Sequence, residues 1–210
     1  MRCLMVYYSL SGQAERAVAE ASATCVAAGW EVATCRIDFA NPAIRLHRPL
    51  TVGAVKHWVD HSKAGTVFPL EYTPTEAVQG EYDLILVVSN TWASSPSAPI
   101  RSFIEGPEAK RLLQGKKFGV YIVCRKLWKD NLAIMRKLGE AAGGTYVGGE
   151  AFTNAGNQVT SMIQTVTYLM RGGDPLRSLL GIPLPDYGLS AKALARLPGF
   201  TKELLGASTA

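Results

Sequence analysis

The sequence has few of the residues that build metal sites or disulfide frameworks. Its 210 residues include four cysteines and three histidines. The cysteines, Cys3, Cys25, Cys35 and Cys124, are scattered, form no CxxC pair and have no histidine at ligand spacing. This pattern argues against a structural zinc site and is typical of a reducing compartment. We therefore expect no bound metal.

Long apolar runs are also missing. The apolar start "MRCLMVYY" is interrupted from Ser9 to Glu15, which is too early for a signal peptide or a membrane span. No other stretch reaches the roughly 18 apolar residues that a membrane helix needs. We expect a cytoplasmic protein without a membrane span.

Concentrated charge of either sign is absent as well. The formal net charge is +5 and the pI is about 9.1. The densest basic residues are spread along the chain: Lys116, Lys117, Arg125, Lys126, Lys129, Arg136 and Lys137. No aromatic ladder alternates with them, as it would in many nucleic-acid surfaces. We therefore expect no nucleic-acid partner.

Five apolar, β-rich segments are present, at 2–8, 31–37, 82–89, 117–124 and 144–150. Three of them are almost continuously apolar, which is typical of parallel strands covered on both faces. Segments with helical periodicity lie between them. The alternation predicts an α/β fold with a doubly wound sheet.

Two regions are longer than this alternation requires. Residues 40–80 contain four prolines and exceed a usual connection, and a helix is predicted within them near 51–63. A closing helix is predicted at 157–173, and the proline-broken tail after it is expected at the edge of the sheet or over the site. We interpret 1–171 as one domain and 172–210 as a C-terminal helical extension packed on it.

Ligands of doubly wound sheets bind beyond the carboxyl ends of the strands, so the turns there carry the candidate site. The first turn consists of Ser9, Leu10, Ser11, Gly12, Gln13 and Ala14. Unpaired N–H groups at a helix start, two hydroxyls and a glycine favour a bound phosphate. The alternative is that Ser11 merely caps the helix. No GxGxxG or GKS/T motif is present.

The second and third turns each carry a tryptophan after a core strand. The candidate binding residues are Asn90, Thr91, Trp92, Ala93 and Ser94 in the second turn, and Cys124, Arg125, Lys126, Leu127 and Trp128 in the third. Trp92 lies among small polar residues and is suited to stack on a flat ring, unless it is an ordinary half-buried surface residue. Arg125 and Lys126 either face the same pocket or belong to a solvated loop.

Taken together, "VYYSLSGQAER" (6–16) and "LILVVSNTWASSPSAPIRSFIEG" (84–106) resemble the flavodoxin-like family. Proteins of that family bind FMN phosphate on a strand–Ser/Thr-x-Ser/Thr-Gly-x-Thr–helix turn and often contain "PSAP…F" after the second flavin loop. The resemblance implies a five-stranded parallel sheet in the order 2-1-3-4-5, with helices on both faces and FMN bound by the three turns. Ala14 departs from the pattern, which usually has a threonine at that position.

A finer resemblance is to the dialkylresorcinol-condensing-enzyme-like branch of this family. It is carried by "YYSLSGQ" (7–13), Trp92 with "SPS" at 95–97, "CRKLW" (124–128) and "LGIPLPDYGLS" (180–190). This branch implies an FMN-dependent oxidoreductase that oxidises a small, apolar cyclic diketone to an aromatic ring in secondary metabolism.

The charge of the turns bears on the role of the flavin. Electron-transfer flavodoxins are typically acidic, whereas this chain places Arg125, Lys126 and Lys129 near the site. Cations near the ring favour the reduced, anionic flavin, so we expect a flavin that accepts electrons from a substrate or from NAD(P)H. The alternatives are an NAD(P)H:quinone reductase, an electron-transfer flavodoxin and a flavin-free binding protein.

The sequence identifies no catalytic base and leaves the assembly open. The histidines, His47, His57 and His61, all lie in the long second connection and are interpreted as surface residues. Candidate walls of an apolar substrate pocket are Trp58, Phe68, Tyr72, Leu179, Leu180, Tyr187 and Phe200, with ordinary packing as the alternative. Related flavin reductases often dimerise, so a homodimer is a candidate assembly that no residue requires.

Overall fold

A computed structural model describes residues 1–209 of the chain. Its α-helices are α1 (Gln13–Ala27), α2 (Val52–Ala64), α3 (Ala98–Glu105), α4 (Pro107–Leu113), α5 (Lys129–Ala141), α6 (Gln158–Met170) and α7 (Ala191–Thr209). Its strands are β1 (Arg2–Tyr7), β2 (Glu31–Phe39), β3 (Leu70–Thr73), β4 (Leu84–Trp92), β5 (Ser95–Pro96), β6 (Lys117–Cys124), β7 (Thr145–Thr153), β8 (Ser178–Leu179) and β9 (Ile182–Pro183). Short 3₁₀ turns occupy Pro42–Ile44 and Thr75–Gln79. None of the described helices is both long and apolar enough to span a bilayer.

The parallel part of the sheet has the predicted order. The strands run β2-β1-β4-β6-β7, and each neighbouring pair is parallel. Counted as parallel strands alone, this order is 2-1-3-4-5, so the predicted α/β architecture is confirmed. In β4, Leu84 and Leu86 belong to the core under α1 and α7, while Ile85 and Val87 belong to the core on the opposite face. Burial on both faces explains why the strand is apolar without alternation.

Two more strands make the main sheet seven-stranded within residues 1–209, where five strands were predicted. β3 adds antiparallel to the outer edge of β2, and β5 turns back on the end of β4. β3 has only four residues, alternates half-buried with exposed positions and is flanked by Pro69 and Pro74. Such a short edge strand has no apolar run that distinguishes it from a loop.

The helix that closes the sheet is α7, whereas the sequence pattern placed the closing helix at 157–173. Leu197, Phe200 and Leu204 of α7 are buried in the core shared with α1, β6 and β7. A Cβ on Gly119 would lie 2.8 Å from Leu204, so the missing side chain there lets α7 approach the sheet. Phe200 therefore packs in the core and is not a wall of a pocket over the site. α7 is continuous through Pro198, where one or two short helices were expected.

The predicted closing segment forms α6, which lies at the carboxyl edge of the sheet instead. The hydroxyl of Tyr168 donates to the carbonyl of Ser11 at 3.2 Å. The N–H of Leu50 donates to the carbonyl of Leu169 at 2.9 Å. These contacts place α6 over the turn that follows β1, where the candidate site lies.

Candidate functional site

The three turns meet at the carboxyl edge of the sheet around one cleft of about 190 Å³. The predicted residues that line it are Leu10, Ser11, Gln13, Asn90, Thr91, Trp92, Ala93, Ser94, Cys124, Arg125, Lys126 and Leu127. Ser9, Gly12, Ala14 and Trp128 belong to the same turns but are not among the residues that line the cleft. Turns far apart in sequence converge because neighbouring parallel strands end at the same edge.

The first turn leaves the start of α1 uncapped. Gly12 is the N-cap residue with a φ of 78°, and no side chain caps the helix. Ser11 therefore does not act as a cap, and that alternative is wrong. The Oγ of Ser9 instead accepts a hydrogen bond from the N–H of Gly12 at 3.1 Å. The first N–H groups of α1 have no side-chain acceptor within residues 1–209, and this arrangement is suited to an anion.

Ala14 points away from the cleft. Its side chain is fully buried and packs in the same core cluster as Met5 and Val18. The chain thus supplies no third hydroxyl to the turn, in agreement with the departure noted in the sequence. The donors at this turn include the Ser11 hydroxyl, the Gln13 side-chain amide and main-chain N–H groups.

Trp92 is half-buried and lines the cleft at the same time. Its ring packs edge-on against Tyr8, with centroids 5.9 Å apart, and tilted against Trp58 at 6.2 Å. Its orientation is therefore set by two aromatic neighbours. Ala93 and Ser94, which follow it, both have positive φ, 46° and 71°, in the tight turn between β4 and β5. Left-handed conformations at non-glycine residues are strained, and such residues are often found at functional sites.

Asn131, in the first turn of α5, fixes the second turn and was missed from the sequence. Its Nδ2 donates to the Asn90 carbonyl at 3.2 Å and to Thr91 Oγ1 at 2.8 Å. Its Oδ1 accepts from Ser89 Oγ at 3.0 Å. Asn131 is fully buried, so these partners replace water. The sequence offered one indication of this role: Asn131 is a single amide residue beside the apolar stripe of a helix that follows a candidate turn.

The side-chain oxygen of Asn90 is a hydrogen-bond acceptor that the Asn131 contacts do not use. This Oδ1 atom is buried and has no hydrogen-bond partner among the described residues. A buried polar atom without a partner is costly unless a ligand or water satisfies it. Because Asn90 lines the cleft, the cleft is the place where such a ligand would bind.

The third turn contributes positive charge. Arg125 donates to the Gln158 carbonyl at 3.0 Å, and Lys126 donates to the Asn154 carbonyl at 3.0 Å. Burial lowers the pKa of Arg125 from its ordinary value. No aspartate, glutamate or histidine is among the described residues that line the cleft. The two cations are therefore held by neutral carbonyls, and the cleft is electropositive.

Cys124 is unsuited to act as a nucleophile. It is buried at the end of β6, and this burial raises the pKa of its thiol to about 11. Thr91, Lys126 and Arg125 oppose the effect but do not outweigh it. A thiol with this pKa is protonated near neutral pH, so it supplies no thiolate.

In addition to the three turns, α6 and the segment after it line the cleft. Thr165 and Leu169 line the cleft, and Thr165 Oγ1 is buried without a partner among residues 1–209. Tyr187, also in the lining, stacks on Tyr168 with centroids 4.0 Å apart and planes 16° apart. The guanidinium of Arg48 lies 4.6 Å above the Tyr168 ring. Burial raises the pKa of Tyr187 to about 12, against the opposing effects of Ser11 and Arg48.

Most of the other candidates lie away from the cleft. Trp58 and Phe68 pack on Phe39 beside α2, and His57 and His61 contact Trp58. His47 lines a separate surface depression, Tyr72 donates to Glu108, and Leu179 and Leu180 are exposed. Of the predicted apolar wall, Tyr187 alone lines the cleft. No cluster of metal-ligating side chains occurs within residues 1–209.

The cleft residues fit FMN in three respects. A Cβ on Gly12 would meet no atom within 4 Å, so a phosphate has room against the uncapped start of α1. The unpartnered Asn90 Oδ1 and Thr165 Oγ1 provide polar atoms for a ring with donors and acceptors. The electropositive third turn complements an anionic cofactor.

No protein-family model and no curated protein sequence matches the chain. Solved structures resemble it in fold. A flavoprotein in complex with FMN from Lactobacillus acidophilus is 16% identical, with 71% of this chain and 92% of that chain covered and a TM-score of 0.54. A flavodoxin from the domain Archaea is 10% identical, with both chains fully covered and a TM-score of 0.55. Oxidised flavodoxin 2 from Bacillus cereus is 14% identical over 98% of this chain and 99% of its own, with a TM-score of 0.53. At these identities the comparison establishes a flavodoxin-like fold.

Proposed function

We propose that the protein binds FMN and is an oxidoreductase that acts on a small, apolar cyclic ketone or quinone-like substrate. The observation that carries the proposal is the uncapped, open start of α1 beside a cleft in which the described lining residues include cations and no carboxylates. The flavodoxin-like fold and the flavoprotein with FMN that shares it support the choice of cofactor.

Each turn has a separate part in holding the cofactor. Ser11 and Gln13 would hold the phosphate through main-chain N–H groups and the Ser11 hydroxyl, and Gly12, whose N–H donates to Ser9, would leave room for it. Asn90 and Trp92 would lie beside the ring, with Asn90 held in place by Asn131. When bound, FMN supplies a ring that accepts or releases hydride.

The charge of the cleft favours substrate oxidoreduction over electron transfer between proteins. Arg125 and Lys126 lower the energy of negative charge in the cleft, whereas a carboxylate-lined site would raise it. They would therefore raise the potential of the bound cofactor above that of free FMN. A measured midpoint potential well below that of free FMN would contradict this part of the proposal.

The side chains of the cleft also bear on the substrate. Oxidation of a cyclic diketone to an aromatic ring needs a base that removes an acidic proton. Burial raises the pKa of Tyr8, Tyr187 and Cys124, so these groups hold their protons at neutral pH. Protonated Tyr187 and the ammonium of Lys126 are donors. Within the proposed substrate class, this set favours reduction of a quinone-like acceptor with NAD(P)H as electron donor.

The first experiment is to purify the protein and measure its visible absorbance. We expect yellow protein that releases FMN on heating, or colourless protein that becomes yellow when titrated with FMN. Protein that binds no FMN under either condition would support a flavin-free binding protein instead.

The second experiment separates the enzymatic roles. We expect NADPH to bleach the bound flavin and a small quinone to restore its colour. A flavin that neither reagent affects, but that exchanges electrons with a partner protein, would indicate an electron-transfer flavodoxin.

A further inference from the structure

Helix α6 buries polar side chains and exposes apolar ones. Ser161 and Gln164 are buried at 1% and 3% relative exposure, and Tyr168 on the same side reaches Ser11. The exposed large apolar residues are Val159, Met162, Val166 and Met170. Their spacing of three or four residues places them in one stripe. Amphipathic helices in water have the opposite arrangement, so this stripe is suited to contact with an apolar phase.

A second apolar projection lies beside this helix. β8 and β9 form a hairpin on which Leu179, Leu180 and Ile182 are exposed, with Leu180 at 95% relative exposure. The N–H of Leu176, just before the hairpin, donates to Thr167 Oγ1 of α6 at 3.1 Å. We call the α6 stripe and the hairpin tip together the apolar face.

The charges around the apolar face are mostly positive. Four cations lie beside it: Arg125, which donates to the Gln158 carbonyl of α6, Arg48, whose guanidinium lies beside Gly173, and Arg171 and Arg177, which flank the link between α6 and the hairpin. Two carboxylates lie in the same segments, Asp174, which pairs with Arg171 at 3.5 Å, and Asp186. Four cations against two carboxylates leave an excess of two positive charges around an apolar centre.

We propose that the apolar face docks on the surface of an anionic lipid bilayer. The apolar stripe and the hairpin tip would enter the boundary between headgroups and acyl chains, while the surrounding cations contact anionic headgroups. A second copy of the chain is the alternative occupant, because a two-fold contact would also cover an apolar face, and light scattering distinguishes the two. Helices that lie in the interface need not span it, and none of the described helices is able to do so.

The docking surface lies beside the cleft. Thr165 and Leu169 of α6 line the cleft, while Val166 between them faces outward. Leu127, at the rim of the cleft, is also exposed, at 52%. Docking would therefore hold the cleft next to the bilayer, from which an apolar substrate could enter. The proposal itself requires neither FMN nor the proposed reaction.

The test is flotation of the purified protein with vesicles of phosphatidylcholine, with and without phosphatidylglycerol. We expect the protein to float with the anionic vesicles and to remain in solution with neutral ones. Raising the salt concentration should weaken the binding, because screened headgroups attract the cations less. Absence of flotation with anionic vesicles at low salt would overturn the proposal, as would equal binding to neutral vesicles.

Matched variants locate the contact. Val166→Asp and Leu180→Asp should each reduce vesicle binding roughly tenfold, because they remove apolar contact and add a repelled charge. Val26→Asp is the control: Val26 is exposed at 62%, but it lies at the end of α1, at the opposite edge of the sheet. Circular dichroism checks that all three variants fold. An equal loss of binding in Val26→Asp would contradict the assigned surface.

The same variants distinguish a bilayer from a second copy of the chain. We expect light scattering to give a monomer for the wild type and for Leu180→Asp. A wild-type dimer that Leu180→Asp dissociates, without vesicle binding by either protein, would assign the apolar face to self-association instead. Flavin absorbance measured in parallel separates this result from the fate of the proposed function.

Discussion

The side-chain amide of Asn131 donates a hydrogen bond to Thr91 Oγ1 at 2.8 Å and so ties the start of α5 to the second turn of the cleft. Asn131→Asp keeps the shape of the side chain but removes both donors from a fully buried position. We expect it to lower the free energy of unfolding by about 1–3 kcal/mol and to weaken FMN binding, because the second turn loses its support. Urea denaturation and a fluorescence titration with FMN measure the two effects.

The exposed neighbour provides the control for this prediction. Asp130→Asn replaces a carboxylate with an amide, the reverse of Asn131→Asp, at the preceding, exposed position of the same helix. We expect both the urea midpoint and FMN affinity to stay near the wild-type values. Equal losses in the two variants would mean that the Asn131 contacts do not position the turn.

Gly12 and Gly29 flank the same helix and form a matched pair. Both have a left-handed φ, 78° and 80°, and a Cβ at either would meet no atom within 4 Å. Valine at either position should therefore cost about 1–2 kcal/mol of folding stability. Gly12→Val, alone or with Ser11→Ala, should also abolish FMN binding, because its side chain would occupy the proposed phosphate position. Gly29→Val should leave FMN binding intact.

Urea denaturation and an FMN titration of Gly12→Val and Gly29→Val measure the stability and the affinity that are compared. If Gly12→Val retains wild-type affinity, the phosphate is bound elsewhere. If Gly29→Val loses affinity as well, the effect arises from destabilised α1 and not from the first turn.

Trp92 is expected to contribute to flavin affinity through stacking. Trp92→Leu should weaken FMN by roughly 1–3 kcal/mol, the range for loss of an aromatic stack. Because Trp92 also packs against Tyr8 and Trp58, the same change should lower stability. Trp30→Leu, in the core on the α1 side of the sheet, is the control that lowers stability and spares affinity. An unchanged FMN dissociation constant in Trp92→Leu would show that the ring points away from the flavin.

The raised pKa of Tyr187 predicts that the protein loses folding stability at high pH. Burial raises its pKa from 10.0 to about 12 in the folded state, so folding favours the protonated phenol. The stabilisation is fully present below pH 10 and is lost as the pH rises towards 12, because the unfolded chain then ionises first. We expect urea denaturation of the wild type to show a drop in stability between pH 9 and pH 11, and Tyr187→Phe should reduce that drop. The same drop in both proteins would indicate that other buried tyrosines account for it.

Ala93 offers a test of backbone strain at the rim of the cleft. Its φ of 46° is unfavourable for a residue with a Cβ, so Ala93→Gly should raise the free energy of unfolding by about 0.5–1 kcal/mol. Ala28→Gly, where φ is −89°, should lower it instead, since there is no strain to relieve. Thermal melts of the two variants should therefore shift in opposite directions. A lower midpoint for Ala93→Gly would mean that the positive φ stores no strain.

Local patterns accounted for the parallel sheet and for the positions of the three turns. A strand buried on both faces must be apolar along its whole length, so "LILVV" and "VYIVC" were recognisable without any partner. The polar turns that follow such strands lie at one edge in any parallel sheet, which is why most of the predicted binding residues line one cleft. The alternative interpretation, that Ser11 caps α1, was wrong because Gly12 occupies the N-cap position in a left-handed conformation and has no side chain that could cap the helix.

Local sequence patterns could not predict the roles of residues whose contacts are with distant parts of the chain. Asn131, Thr165 and Arg48 have no local signature, since each matters through a contact with a distant turn or helix. β3 pairs at the edge with too few residues to show a period.

The amino-acid order alone determined the α/β class, the parallel core and the polar turns, because burial and turn chemistry act over neighbouring residues. The tertiary structure decided the roles of the two C-terminal helices. Both α6 and α7 are amphipathic, and periodicity cannot tell which face of a helix meets protein. α7 closes the sheet because Gly119 leaves space for Leu204, whereas α6 turns Thr165 towards the cleft and its apolar stripe outward.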